Sequence, residues 1–151
     1  DMLIMPYLEP DSLVTDHTVL YDDNLFFTYE ISKYPTSVEI SNIEGQNISI
    51  GFSLESTSLD FGVVPTGGAI GMRFLTLKNT QDDTAKMLFF AYGNISSMIH
   101  YNDNNFHLKP EVTKDIEIML KTDKNTPVGD YSGEINLVVK RARYNFMKLF
   151  L

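Results

Sequence analysis

The chain has no cysteine and no tryptophan. Without cysteine there is no disulfide framework, no thiolate zinc site and no thiol nucleophile. Cations are scarce, with 12 Lys and Arg against 20 Asp and Glu, for a formal net charge of −8. A surface of that balance repels phosphate backbones, which excludes nucleic-acid binding as a property of the whole chain. Long apolar runs are missing too. None reaches the ~20 residues of a membrane-spanning helix. Helical spacing is absent until the last ten residues, where the end of the chain stays apolar.

What is present is ordinary globular material. The 151 residues are 43% hydrophobic and 21% charged, enough for one domain with a real core. Phe (10) and Tyr (8) are plentiful, and both favour strands. Along the chain, short alternating runs recur between turn residues. Leu25, Phe27, Tyr29 and Ile31 alternate with polar neighbours, Tyr34-Pro35-Thr36 breaks the run, and Val38 and Ile40 resume it. Ile48, Ile50, Phe52 and Leu54 share a face, as do Leu75 and Leu77, then Ile116, Ile118 and Leu120, then Ile135, Leu137 and Val139. Residues 87–92 are apolar on both faces, the mark of a central strand.

Strands every 8–12 residues with turn chemistry between them specify an all-β antiparallel sandwich. Residues 46–140 supply about seven strands, the immunoglobulin-like number. Residues 1–45 are expected to add strands to the same sandwich, since 45 residues without a disulfide make a marginal domain. Residues 1–151 are therefore one domain, with 141–151 either a last strand or the start of an anchor segment.

Four stretches carry a resemblance. Ser58-Leu59-Asp60-Phe61-Gly62-Val63-Val64-Pro65-Thr66-Gly67-Gly68 resembles the opening of immunoglobulin-like repeats in archaeal and bacterial surface proteins, and is similar to that of ASH-type domains. Leu75-Thr76-Leu77-Lys78-Asn79-Thr80 resembles their second strand. Phe106-His107-Leu108-Lys109-Pro110 resembles their proline turn, except that Glu111 stands where glycine is usual. Thr126-Pro127-Val128-Gly129-Asp130-Tyr131-Ser132-Gly133 resembles the lead into the last strand of NEW3-type domains. The resemblance covers about 46–140 and implies a non-catalytic, extracytoplasmic structural or binding module. Gly62, Pro65, Gly67, Gly129 and Tyr131 take structural roles in this reading. Gly129 permits a tight corner, from which the Tyr131 hydroxyl either turns back to a backbone carbonyl or sits as a plain core tyrosine.

Candidate chemistry is thin. His100 and His107 flank Asn102-Asp103-Asn104-Asn105. If their strands form a hairpin, both imidazoles and Asp103 meet, but zinc wants three or four such ligands, and strand histidines beside a polar turn are the simpler reading. The Asp/Asn clusters at 22–24, 81–83, 102–105 and 123–125 lack EF-hand spacing and read as turns. Gly67, Gly68 and Gly71 join two strands rather than a strand to a helix N-terminus, so they form no phosphate loop. No catalytic residue, cofactor or metal site is assigned, and the expectation is that the chain is not an enzyme.

Two Asn-x-Ser sequons, at Asn47 and Asn94, are sites for a glycan if the chain is exported. Met2, Ile4 and Tyr7 at one end, and Tyr144, Phe146 and Leu149 at the other, read as an interaction edge open to another subunit or a second copy. Charge is segregated: residues 1–30 hold seven acids and no cation, while residues 138–151 hold Lys140, Arg141, Arg143 and Lys148 and no acid. Either the two ends neutralise each other or the basic end meets anionic lipid, and four charges are few for a lipid patch. The expected role is an interaction module of a cell-envelope or appendage assembly, located extracytoplasmically at the cell surface and anchored through a segment outside this chain. Its partners would be proteins, including a second copy. A start at Asp1 rather than Met fits a processed product or an excised part. The alternative is a carbohydrate- or cell-wall-binding accessory domain in which Tyr101 or Phe26 stacks on sugars.

Overall fold

A computed structural model describes residue 10 and residues 12–42 and 58–151. Among these the chain forms β1 (Thr18–Asp23), β2 (Phe27–Ser41), β3 (Leu59–Pro65), β4 (Ile70–Lys78), β5 (Ala85–Gly93), β6 (Ile99–Tyr101), β7 (Phe106–Leu108), β8 (Thr113–Lys121) and β9 (Gly129–Ala142). Two 3-10 helices, Ser96–Met98 and Asn145–Phe150, complete the described elements. The expected strand over 47–54, the sequon at Asn47 and the apolar lead with Met2, Ile4 and Tyr7 lie outside the described residues.

The larger sheet runs β1-β2-β9-β5-β7, with β3 also on β2, and the smaller runs β4-β8-β6. All pairings are antiparallel except that of β3 on β2. The chain is an all-β sandwich of two packed sheets. Seven strands, β3 to β9, lie between residues 59 and 142, and β1 and β2 extend the larger sheet.

Between the sheets, Val38, Ile40, Met87, Phe89, Ile135, Leu137 and Val139 meet Ile116, Ile118 and Leu120 of the smaller sheet. The larger sheet has a second apolar cluster on its other face. There Phe27, Tyr29, Ile31 and Val138 pack with Leu88, Phe90, Met147 and Leu151. Residues 87–92 are apolar on both faces because each face of β5 has its own core.

Those two cores explain a departure from the sequence expectation. Tyr34-Pro35-Thr36 does not break the chain, and β2 is one strand of 15 residues. Its apolar phase flips at Pro35, from Phe27, Tyr29 and Ile31 on the outer face to Val38 and Ile40 on the inner. A period-2 phase flip reads as two strands. The outer pairing changes at the same place, since β1 stops at Lys33 and β3 starts at Thr36. Pro35 falls in the gap between them, where a missing N–H is tolerated. Of the two forms expected for 141–151, a last strand is not the one found: β9 ends at Ala142, and residues 145–150 form a 3-10 helix.

The turn residues take specific tasks. Gly62 (φ +70°) sits in the bulge where β3 inserts an extra residue against β2, and its N–H meets Asp60 Oδ1 at 2.8 Å. The Pro65 carbonyl accepts the Thr122 hydroxyl at 2.8 Å, and Gly67 N–H reaches the Asp123 carbonyl at 2.9 Å. Gly129 opens β9, and the Tyr131 hydroxyl donates to the Pro127 carbonyl at 2.6 Å. Glu111 adopts φ +63°, the left-handed conformation that glycine takes without strain.

Candidate interaction surface

The hairpin β1–β2 is set by Asn24. Its Oδ1 accepts both Phe26 N–H and Phe27 N–H at 2.9 Å, and its N–H donates to the Phe27 carbonyl at 3.0 Å. Asn24 and Phe27 therefore enclose a two-residue loop, Leu25-Phe26. That bond fixes the phase of the whole ladder. Antiparallel pairs alternate between bonded and non-bonded, so Asp22, Leu20 and Thr18 bond to Tyr29, Ile31 and Lys33. The N–H and C=O groups of Val19, Tyr21 and Asp23 then point away from β2, toward the rim of the sheet.

Among the described residues no strand pairs with that rim. β1 contains no Lys, Pro or bulge, and of the devices by which edge strands avoid pairing it carries only the charges of Asp22 and Asp23 at its end. Its apolar side chains are exposed, with Val19 at 38%, Leu20 at 45% and Tyr21 at 78% of full accessibility.

The chain leaving β9 passes this hairpin before the C-terminal 3-10 helix begins. Arg143 N–H donates to the Phe26 carbonyl at 2.8 Å, and its guanidinium meets Asp23 Oδ2 at 2.6 Å. Met147 and Leu151 turn into the second core, while Tyr144, Phe146, Leu149 and Phe150 are exposed. The Tyr144 and Phe146 rings stack at 5.7 Å. Leu20 pairs with Ile31 and so shares the outer face with this helix, whereas Val19 and Tyr21 pair with Ser32 and Glu30 on the opposite face. Of the residues expected to form an interaction edge, Tyr144, Phe146 and Leu149 are exposed. Val19, Leu20 and Tyr21 were missed, although an uncharged apolar triplet between Thr18 and Asp22 was a legible signal.

The basic run at 140–148 is engaged within the fold. The Lys140 ammonium lies 4.1 Å from the centre of the Phe27 ring, and burial, then Lys86, pulls its pKa down. Arg141 donates to the Asp83 carbonyl and to Asn79 Oδ1, with its pKa lowered chiefly by burial. Arg143 pairs with Asp23, and Lys148 with Asp83 at 3.0 Å. Of the two readings of charge segregation, mutual neutralisation is the one that the Arg143–Asp23 pair supplies.

The remaining candidates disperse. His100 is on β6 of the smaller sheet and His107 on β7 of the larger, so the imagined hairpin does not exist. Asp103 pairs with Lys114, and His107 Nε2 meets the Leu151 carbonyl. No group of three metal-ligating side chains occurs among the described residues. The Asp/Asn clusters are turn devices. Asn104 bonds both N–H and C=O of Phe89, standing in for a strand neighbour, and Asp123 Oδ1 accepts Asn125 N–H and the Thr126 hydroxyl. A groove of about 440 Å³ is lined by His100, Lys121, Asp123 and Tyr131, but its carboxylate and phenol are both committed to backbone and turn.

The two aromatics expected to stack on sugars are packed. Tyr101 stacks on Phe89 at 5.1 Å, with its hydroxyl pKa raised by burial, and Phe26 packs on the second core. Asn94 is exposed in its turn, with Oδ1 accepting Ser132 N–H at 2.8 Å. Beneath residues 12–17, Glu134 is fully buried. It accepts Val14 N–H at 3.0 Å and lies 3.8 Å from Lys33 Nζ, a structural ion pair. Among the described residues no helix is long and apolar enough to cross a membrane. No family model, curated protein or solved structure matches the chain.

Proposed function

We propose that this chain is a non-catalytic immunoglobulin-like module that works by protein–protein contact in an extracytoplasmic, cell-surface assembly. The observation that carries the reading is the open outer rim of β1, with Val19, Leu20 and Tyr21 exposed. An edge strand left open in this way is a template for another strand. The resemblance to surface-protein repeats, and the exposed sequon at Asn94, favour the extracytoplasmic location.

The test is solution mass by light scattering coupled to gel filtration, over a wide concentration range, for the full chain, Tyr21→Lys and Phe146→Asp/Leu149→Asp. The reading expects association in the full chain and its loss in at least one folded variant. A monomer in all three at every concentration removes the contact on which the reading stands.

A further inference from the structure

We infer that β1 pairs with β1 of a second copy, antiparallel about a two-fold axis through Leu20, joining the two larger sheets into one. This rests on the contact reading above and names the partner and register. The ladder phase does most of the selection. Val19, Tyr21 and Asp23 turn their backbone groups outward, and outward residues of one antiparallel strand must face outward residues of the other. The axis therefore passes through a residue, not between two, and only axes at Val19, Leu20 and Tyr21 centre the apolar triplet.

Charge separates these three. An axis at Val19 sets Asp16 opposite the second copy's Asp22, and like charges directly opposite destabilise a sheet. An axis at Tyr21 sets Leu20 against Asp22 and Val19 against Asp23, with an acid facing each apolar residue. An axis at Leu20 sets Leu20 on Leu20 and Val19 on Tyr21. It places Asp22 opposite Thr18, Asp23 opposite His17 and Asp16 opposite Asn24, so each acid faces a polar group. Asp23 is in addition already paired with Arg143. Val19 and Tyr21 exchange backbone bonds twice, once on each side of the axis. A six-residue edge buries little surface, so the dimer is weak and forms at high concentration.

The absence of cysteine makes the register testable. In this arrangement Leu20 faces its own copy in a non-bonded pair, where Cα atoms are about 4.5 Å apart, within disulfide reach. Val19 faces Tyr21, and its own copy lies diagonally, beyond that reach. Leu20→Cys and Val19→Cys are oxidised under mild conditions at several concentrations and run on non-reducing gels. The expected result is a covalent dimer from Leu20→Cys, forming at least about tenfold faster than from Val19→Cys because pairing raises the local thiol concentration. Tyr21→Lys added to Leu20→Cys should abolish the difference. Equal rates for the two single variants, or a Leu20→Cys chain that stays monomeric, overturns the inference. If light scattering still reports association in that case, the contact reading survives and only this partner and register fail.

Discussion

Gly133→Ala is expected to leave little or no folded protein. Gly133 of β9 faces Gly93 of β5, and the two backbones approach too closely for a side chain. A methyl group at 133 would strike the Tyr92 carbonyl and lie 2.8 Å from Ile95 Cγ2. The obstacle is main chain on one side and a fully buried side chain on the other, so neither yields cheaply. The strands would have to separate at the centre of the larger sheet, and β9 is the strand that holds β2 and β5 together. A cost above about 4 kcal/mol follows, in the range reserved for severe core defects. That is comparable with much of a domain's total stability of roughly 5–15 kcal/mol. Denaturant unfolding followed by circular dichroism would report it, with Ser132→Ala beside it as the exposed control. A midpoint within experimental error of the parent would show that β5 and β9 are not packed as described.

Phe27→Ala should be the most damaging side-chain truncation outside the inter-sheet core. Phe27 is fully buried, the first residue of β2, and the anchor of the outer cluster with Tyr29, Ile31 and Val138. Removing a buried phenyl costs about 3–5 kcal/mol through lost transfer energy and the cavity left behind. Here the Lys140 ammonium also loses the ring face it sits over. The hairpin turn is set by bonds from Asn24 to Phe26 and Phe27, so β1 should loosen with it. The variant should unfold at markedly lower denaturant with an unchanged slope. A loss below about 1 kcal/mol would mean that the outer face carries no second core.

The second core is also what the sequence hid. Alternation located β3, β4, β5, β8 and β9, because each of those strands keeps one phase or is apolar throughout. It divided β2 at Pro35, because a strand that serves one core with Phe27, Tyr29 and Ile31 and another with Val38 and Ile40 must change phase midway. It left open a hairpin joining His100 and His107, because local sequence cannot say that a polar loop crosses from one sheet to the other. The clusters at 22–24, 102–105 and 123–125 were legible as turns, since Asp and Asn cap their own backbones.

The surface was half legible. Tyr144, Phe146 and Leu149 stood out as an apolar end. The open rim of β1 did not, because whether a strand is an edge depends on its neighbours and not on its residues. The phase that turns Val19 and Tyr21 outward depends on one hydrogen bond at Asn24.

Amide hydrogen exchange at Val19 and Tyr21, measured at low and high protein concentration, tests the central claim most directly. Their N–H groups face away from β2, so in dilute solution both should exchange far faster than Leu20, which bonds to Ile31. At high concentration both should gain protection together, as a second β1 covers them. Val19 and Tyr21 exchanging equally fast at both concentrations would contradict the account. So would protection of both in dilute monomer, because the rim would then be closed before any partner arrives.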